Sequence, residues 1–426
     1  MMRKLPLILL TGMISLSLTG CQNPDDREME KPTPSKPDVT LTIRNPKVEI
    51  STQFEQMAKT YEKKNPHVHI VIHTVGGAAD TLSDLKAEMA SGKAPDIFTN
   101  TGFENAKLWR KYLVDLSDQP WVKDAYGDAL NPIKLNGKIY GMPMNLEGYG
   151  LIYNKKLFRK AGIIREPGTL SELTAAAQKL KKAGITPFAT GYYEDWKLGV
   201  HLLNIAFAMQ KDPATFIQRL NNGTARIDHN PTFNDVLDFL DLTLKYGTAN
   251  PLTTDYTAEV NSFANGNAAI ILQGNWIQPM INDLAPGMKL GLMPVPINEE
   301  PSTGSIVVSV PNYWVVNKQA SSEEKKEAKK LLNWMVSSSK GKAFMTEKFK
   351  FIPAFKTIKP ANPGPLAAEI MQHYKEGKTL SSNWFHFPVG VRDEFGAAMK
   401  MYVGKKLTRE QLLHEFQKSW ERSISQ

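Results

Sequence analysis

The chain has 426 residues, 42% hydrophobic and 22% charged, with 52 Lys and Arg against 43 Asp and Glu for a net charge of +9. That length exceeds what one hydrophobic core usually serves, so two lobes are expected, and the composition excludes a disordered or disulfide-stapled chain. The positive excess invites a nucleic-acid reading, but the lysines alternate with glutamates, as in SSEEKKEAKK (321–330), and no nucleic-acid motif accompanies them.

At the N-terminus Arg3 and Lys4 precede a mostly apolar stretch over 5–18, followed by Leu18-Thr19-Gly20-Cys21. This is the layout of a secretory signal, and its apolar run is too short to span a bilayer. The sole cysteine stands where the bacterial lipobox has its own, so 1–20 is expected to be removed and the Cys21 thiol lipidated. The lipid would hold the protein on the extracellular face of the cell membrane. No thiol then remains for a disulfide, and the core alone must hold the fold. Residues 22–38 have no apolar period and carry four prolines, so 21–38 reads as a solvated tether.

From residue 39 onward, strand and helix signals alternate. VTLTIR (39–44) is a strand, and 51–64 is a helix with Phe54, Met57, Ala58 and Tyr61 on one face and Thr52 with Glu55 as its capping box. VHIVIHTV (68–75) is a second strand, 81–91 a helix and PDIFT (95–99) a third strand. This βαβαβ rhythm implies a parallel sheet covered by helices. Asn136-Gly137 marks a tight hairpin. GLIYN (150–154) is an apolar strand, and Thr169 with Glu172 opens a helix closed near Gly184. Further helices are expected over 234–244, after Ser321 with Glu324, and after Thr408 with Gln411. The apolar strand in ANGNAAIILQGNW (264–276) ends abruptly in glycine, amide and indole.

In an open parallel sheet, ligands lie beyond the carboxyl ends of the strands. Residues in such places are Lys47 and Glu49, Asn100 and Glu104, Asn145 and Glu147, Tyr192, Tyr193, Asp195 and Trp196, and Asn275 and Trp276. Flat aromatics beside amides and carboxylates suit a sugar: rings cover the C–H face, and polar groups satisfy the hydroxyls. Trp109 and Trp334 fit core faces of helices. Tyr313 and Trp314 open a strand, with one ring expected in the core and the other, Tyr313 among the candidates, in the cleft. His67, His69 and His73 share a strand face, but nothing nearby completes a metal ligand set, so no metal and no cofactor are expected.

The lipobox, YGMPMNLEGYGLIYNKKLF, FANGNAAIILQGNW and the C-terminal region from ANPG together resemble the extracellular sugar-binding proteins of ABC importers, which include maltose-binding and multiple-sugar-binding proteins. The resemblance implies an α/β, two-lobed periplasmic-binding-protein-like (type II) fold, with a helix-covered, mainly parallel sheet in each lobe. It further implies a three-segment hinge near 147–150, 296–304 and 352–360. Lobe 1 would comprise 39–146 and 305–351, and lobe 2 would comprise 147–304 and 352–426. Glu147 would lie at the hinge within reach of a sugar hydroxyl, and Trp276 would stack on a ring. NWFHFPVGVRDEF suggests Trp384, Arg392 and Asp393 as further contacts. A monomer would bind an oligosaccharide and dock on membrane permease subunits driven by a separate ATPase. Asn100 and Glu104 match the maltose-binding proteins by position but not by residue, which points away from maltose and toward α-galactosides such as melibiose or raffinose. Two alternatives stay open: a receptor for another solute, such as another oligosaccharide, a polyamine or a peptide, and a secreted glycoside hydrolase using paired carboxylates.

Overall fold

The computed structural model describes residues 39–76, 82–300 and 304–425. Cys21, the expected signal and the expected tether lie outside the described residues. The strands in chain order are β1 (Val39–Asn45), β2 (Val68–Thr74), β3 (Ile97–Asn100), β4 (Lys134–Leu135), β5 (Lys138–Ile139), β6 (Met142–Pro143), β7 (Glu147–Asn154), β8 (Thr186–Ala189), β9 (Ala268–Gly274), β10 (Leu290–Met293), β11 (Ile306–Ser309), β12 (Tyr313–Val316) and β13 (Thr379–Leu380). They form two main sheets, ordered β2-β1-β3-β12-β6 and β13-β11-β7-β9-β8, with β10 added beside β7. Each sheet has its own hydrophobic core, so the chain is two-lobed and α/β, as the sequence implied. Among the described residues no helix is long and apolar enough to cross a membrane.

The pairing is more mixed than a parallel rhythm implies. β1 pairs in parallel with β2 and β3, whereas β12 returns antiparallel to β3. In lobe 2, β7 is flanked by antiparallel β9, β10 and β11. All eight residues of β7 are buried, so periodicity could not show which neighbours it takes.

The local signals held at most ends. Asn136 and Gly137 adopt φ of 50° and 80° between β4 and β5, the left-handed pair a two-residue hairpin needs. Ser321 and Thr408 each complete a capping box. The helix Ser51–Glu62 lacks its expected Thr52 cap, because a 3₁₀ turn over Val48–Ile50 leads directly into it.

One crossing and one lobe boundary fall elsewhere than expected. β11 belongs to lobe 2, where it pairs with β7, so the second crossing is at 310–312, beyond the loop near 296–304. Ala354, Phe355 and Ile358 belong to the lobe 1 core, which therefore extends past residue 351. The reason is hydrogen bonding: Met144 N–H donates to the Asn312 carbonyl (2.9 Å) and Leu146 N–H to the Ile352 carbonyl (2.8 Å), so the three crossing segments lie side by side.

Candidate ligand-binding cleft

β7 begins and β9 ends at the cleft, with Tyr149 level with Gly274. A Cβ at Gly274 would overlap the Trp276 ring and the Gly148 carbonyl, so only glycine lets the indole lie back across the strand end. Around it the chain gathers an aromatic box. The His201 imidazole stacks on Tyr149 (centroids 4.6 Å, 23°) and lies 5.0 Å from Trp276, 5.6 Å from Trp384 and 5.0 Å from Trp196. Burial, then the charges of Lys47 and Lys197, lower the His201 pKa to about 3, so its ring is neutral at pH 7 and behaves as another flat apolar face.

His201 and Lys197 sit on a π-helical turn, Lys197–Leu202. That turn lies hard against the helix Val391–Val403, where a Cβ on Gly199 would strike the Arg392 carbonyl and Gly396 backbone. Tyr149 OH donates to the His201 carbonyl (2.9 Å), and Asn204 Nδ2 donates to Tyr149 OH (3.2 Å) and to the Ser381 carbonyl (3.0 Å). Asn204 thereby ties the loop bearing Trp384 to β7.

Behind the box lies a buried charged chain. Lys197 Nζ pairs with Glu194 (3.1 Å) and Glu259 (3.0 Å). Gln273 donates to Glu259 (2.7 Å) and accepts from Trp276 Nε1 (2.8 Å), which fixes the indole edge. Burial pushes the Glu259 carboxyl above its usual range, against the pull of Lys197.

At the hinge, Lys47 of lobe 1 bonds Glu147 of β7 and pairs with Glu49 (3.3 Å). Burial opposes its charge, but Glu147 and Glu49 outweigh that and raise its pKa. Asn145 Nδ2 donates to Glu147 (3.2 Å), while Asn145 Oδ1 and Tyr256 OH are buried without a partner. Burial, then Glu49, Glu259, Glu147 and Glu194, raise the Tyr256 pKa, which keeps the phenol a neutral donor. The lobes are closed on each other, with Phe103 of lobe 1 lying 4.1 Å from the His386 ring of lobe 2.

Residues 45–342 match the family described as bacterial extracellular solute-binding protein. The chain belongs to this family. A multiple sugar-binding protein of Streptococcus mutans is 25% identical over 347 residues, 79% of each chain. A chitin oligosaccharide binding protein superposes with a TM-score of 0.78 at 24% identity, covering 91% of this chain and 100% of its own. The solute-binding protein RafE in complex with raffinose gives 0.77 at 21% identity, covering 90% and 99%. At these identities the structural likeness establishes the type II fold.

In this solute-binding protein the expected site residues divide. Lys47, Asn145, Glu147, Trp196, Trp276 and Trp384 converge on the hinge and box. Glu104, Arg392 and Asp393 meet at the rim beside Trp384, around a small space shared by both lobes. Tyr193 is 45% exposed at the mouth, with Lys400 5.7 Å over its ring.

Three residues are corrected. Asn100 Oδ1 accepts from Gly102 N–H (2.7 Å), so its amide shapes its own loop. Asn275 Oδ1 accepts from Gly148 N–H (3.0 Å), which joins β9 to β7 instead of facing the cleft. Tyr313 is fully buried in the lobe 1 core with its OH donated to the Ala129 carbonyl (2.9 Å), and Trp314 is core as well.

Tyr149, His201, Tyr256, Glu259 and Gln273 are site residues that the sequence patterns above do not mark. Tyr149 carries the one usable signal, an aromatic ring two residues after Glu147. His201 carries no signal, because a π-helical turn has no sequence pattern.

Proposed function

We propose that this protein is a lipid-anchored extracellular receptor, joined to the membrane through Cys21, that captures an oligosaccharide intact and passes it to an ABC permease powered by a separate ATPase. The supporting observation is the aromatic box of Tyr149, Trp196, His201, Trp276 and Trp384, set beside two unpartnered buried polar atoms, Asn145 Oδ1 and Tyr256 OH. Rings cover apolar sugar faces, and buried acceptors and donors discriminate among hydroxyl arrangements. An α-galactoside is the preferred ligand, a reading that rests on the sequence resemblance and agrees with the raffinose complex of a fold relative.

A hydrolase reading is disfavoured by the hinge carboxylates. Glu49 and Glu147 both pair with Lys47 Nζ, so the ammonium fills the space between them where a scissile bond would have to lie. Calorimetry with raffinose, melibiose and chitin oligosaccharides tests the ligand class. Saturable raffinose or melibiose binding with no cleavage products after incubation is the expected result. Tighter binding of chitin oligosaccharides would move the ligand to that class, and released monosaccharide would overturn the receptor reading.

A further inference from the structure

A basic groove runs along lobe 1 to the end away from the cleft. β1 and β3 run with their carboxyl ends toward the cleft, where Lys47 and Asn100 stand. β12 runs the other way, so Lys318 leaves it at the opposite end, next to Asn317, whose N–H donates to the Asp96 carbonyl (2.8 Å). The open groove, of about 1010 Å³, is lined by eight lysines and arginines against one carboxylate, Asp115. The helix Ser322–Ser337 turns Lys325, Lys326 and Lys329 into it and buries Ala328, Leu331, Leu332 and Met335 on another face. Among the described residues, Lys111, Lys318, Lys325 and Lys326 have no ion-pair partner. A run that reads in sequence as an ordinary solvated face therefore concentrates one sign of charge.

The chain enters lobe 1 at this same end. Val39 is the first residue of β1, and Ile43, four residues on, is the one level with Ile97, which in turn is level with Val316. The 17 residues of 22–38 separate Cys21 from that point, a reach of about 60 Å at most.

We propose that this groove docks on the anionic phospholipid headgroups of the membrane that carries the anchor, seating lobe 1 by its base in a resting pose that the receptor leaves to present its cleft to the permease. The proposal rests on the lipid-anchor part of the reading above. Tethering raises the local concentration of headgroups, so an attraction that is modest but measurable for the free protein suffices to seat the anchored one. The groove lies within one lobe, so docking does not depend on whether sugar is bound.

The test uses the mature chain from residue 21 onward carrying Cys21→Ala, and vesicles of phosphatidylcholine with or without phosphatidylglycerol, at low and physiological salt. Stronger binding to the anionic vesicles, weakened by salt, is expected. Lys111→Glu, Lys318→Glu, Lys325→Glu and Lys326→Glu combined should lower that binding at least about tenfold. An equal reversal on lobe 2, at Lys160, Lys179, Lys182 and Lys211, should retain most of it. Both variants should bind sugar as the parent does, which shows that they are folded. Equal binding to both vesicles, equal loss in the two variants, or capture of soluble polyphosphate without any gain on anionic vesicles overturns the proposal. A parent chain that shows the lipid difference but binds no sugar overturns the sugar reading alone.

Discussion

At Gly274 the absence of a side chain and the position of an aromatic ring are one fact. The indole of Trp276 occupies the space a Cβ would need, and its Nε1 is anchored on Gln273. Trp276→Ala should weaken sugar binding by about 1–3 kcal/mol in calorimetry. Gly274→Ala should weaken it comparably although it touches no ligand, because the ring must swing away. An unchanged affinity in the second variant would mean that the ring's resting place is unimportant. His201 supplies a pH dependence. Its pKa falls from 6.5 in the unfolded chain to about 3 in the fold, so below about pH 6.5 folding must expel a proton. Its contribution to stability is complete above that pH and is lost progressively as pH drops toward 3. Denaturant melts between pH 7 and 4 should show the loss, and His201→Phe should flatten it.

Single elements separate stability from binding. Ser321 caps a helix on lobe 1 far from the cleft, through the reciprocal bonds of Ser321 and Glu324. Ser321→Ala should cost about 1 kcal/mol of stability and leave sugar affinity alone. The π-helical turn Lys197–Leu202 is the opposite case. Gly199→Ala would press the turn off the helix Val391–Val403 and move His201 out of its stack on Tyr149. Its affinity should fall by more than its melting temperature implies, and a parallel decline in both would reduce the turn to a packing element.

Across the whole molecule, closure joins a lysine on one lobe to a carboxylate on the hinge strand of the other. Lys47→Met leaves Glu49 and Glu147 facing each other without their cation. Removing one partner of a buried pair costs up to about 3–5 kcal/mol, because the remaining charge stays desolvated. The open form escapes that cost by hydrating both groups, so the variant should populate it. Small-angle scattering should then give a larger radius of gyration without sugar, with affinity lowered at least about tenfold. An unchanged radius would place the control of closure elsewhere.

Local chemistry made much of this legible in advance. The Asn136-Gly137 hairpin, the caps at Ser321 and Thr408 and the two-lobed α/β plan follow from short-range propensity, apolar period or length, and Trp276 from its place past a strand end, whereas Glu147 at the hinge and Trp384 follow from the family resemblance. Propensity and period are properties a chain carries at each position. Three things were decided only when the chain closed on itself. The hinge runs through 310–312 because β11 found β7 as its partner. Tyr313 turned inward because the Ala129 carbonyl was there to accept its hydroxyl. His201 became a neutral wall of the cleft because Tyr149, Trp276 and Trp384 from distant segments closed over it beside the nearby Trp196. Each depends on contacts between residues far apart in the chain, and no local pattern encodes which distant groups will meet.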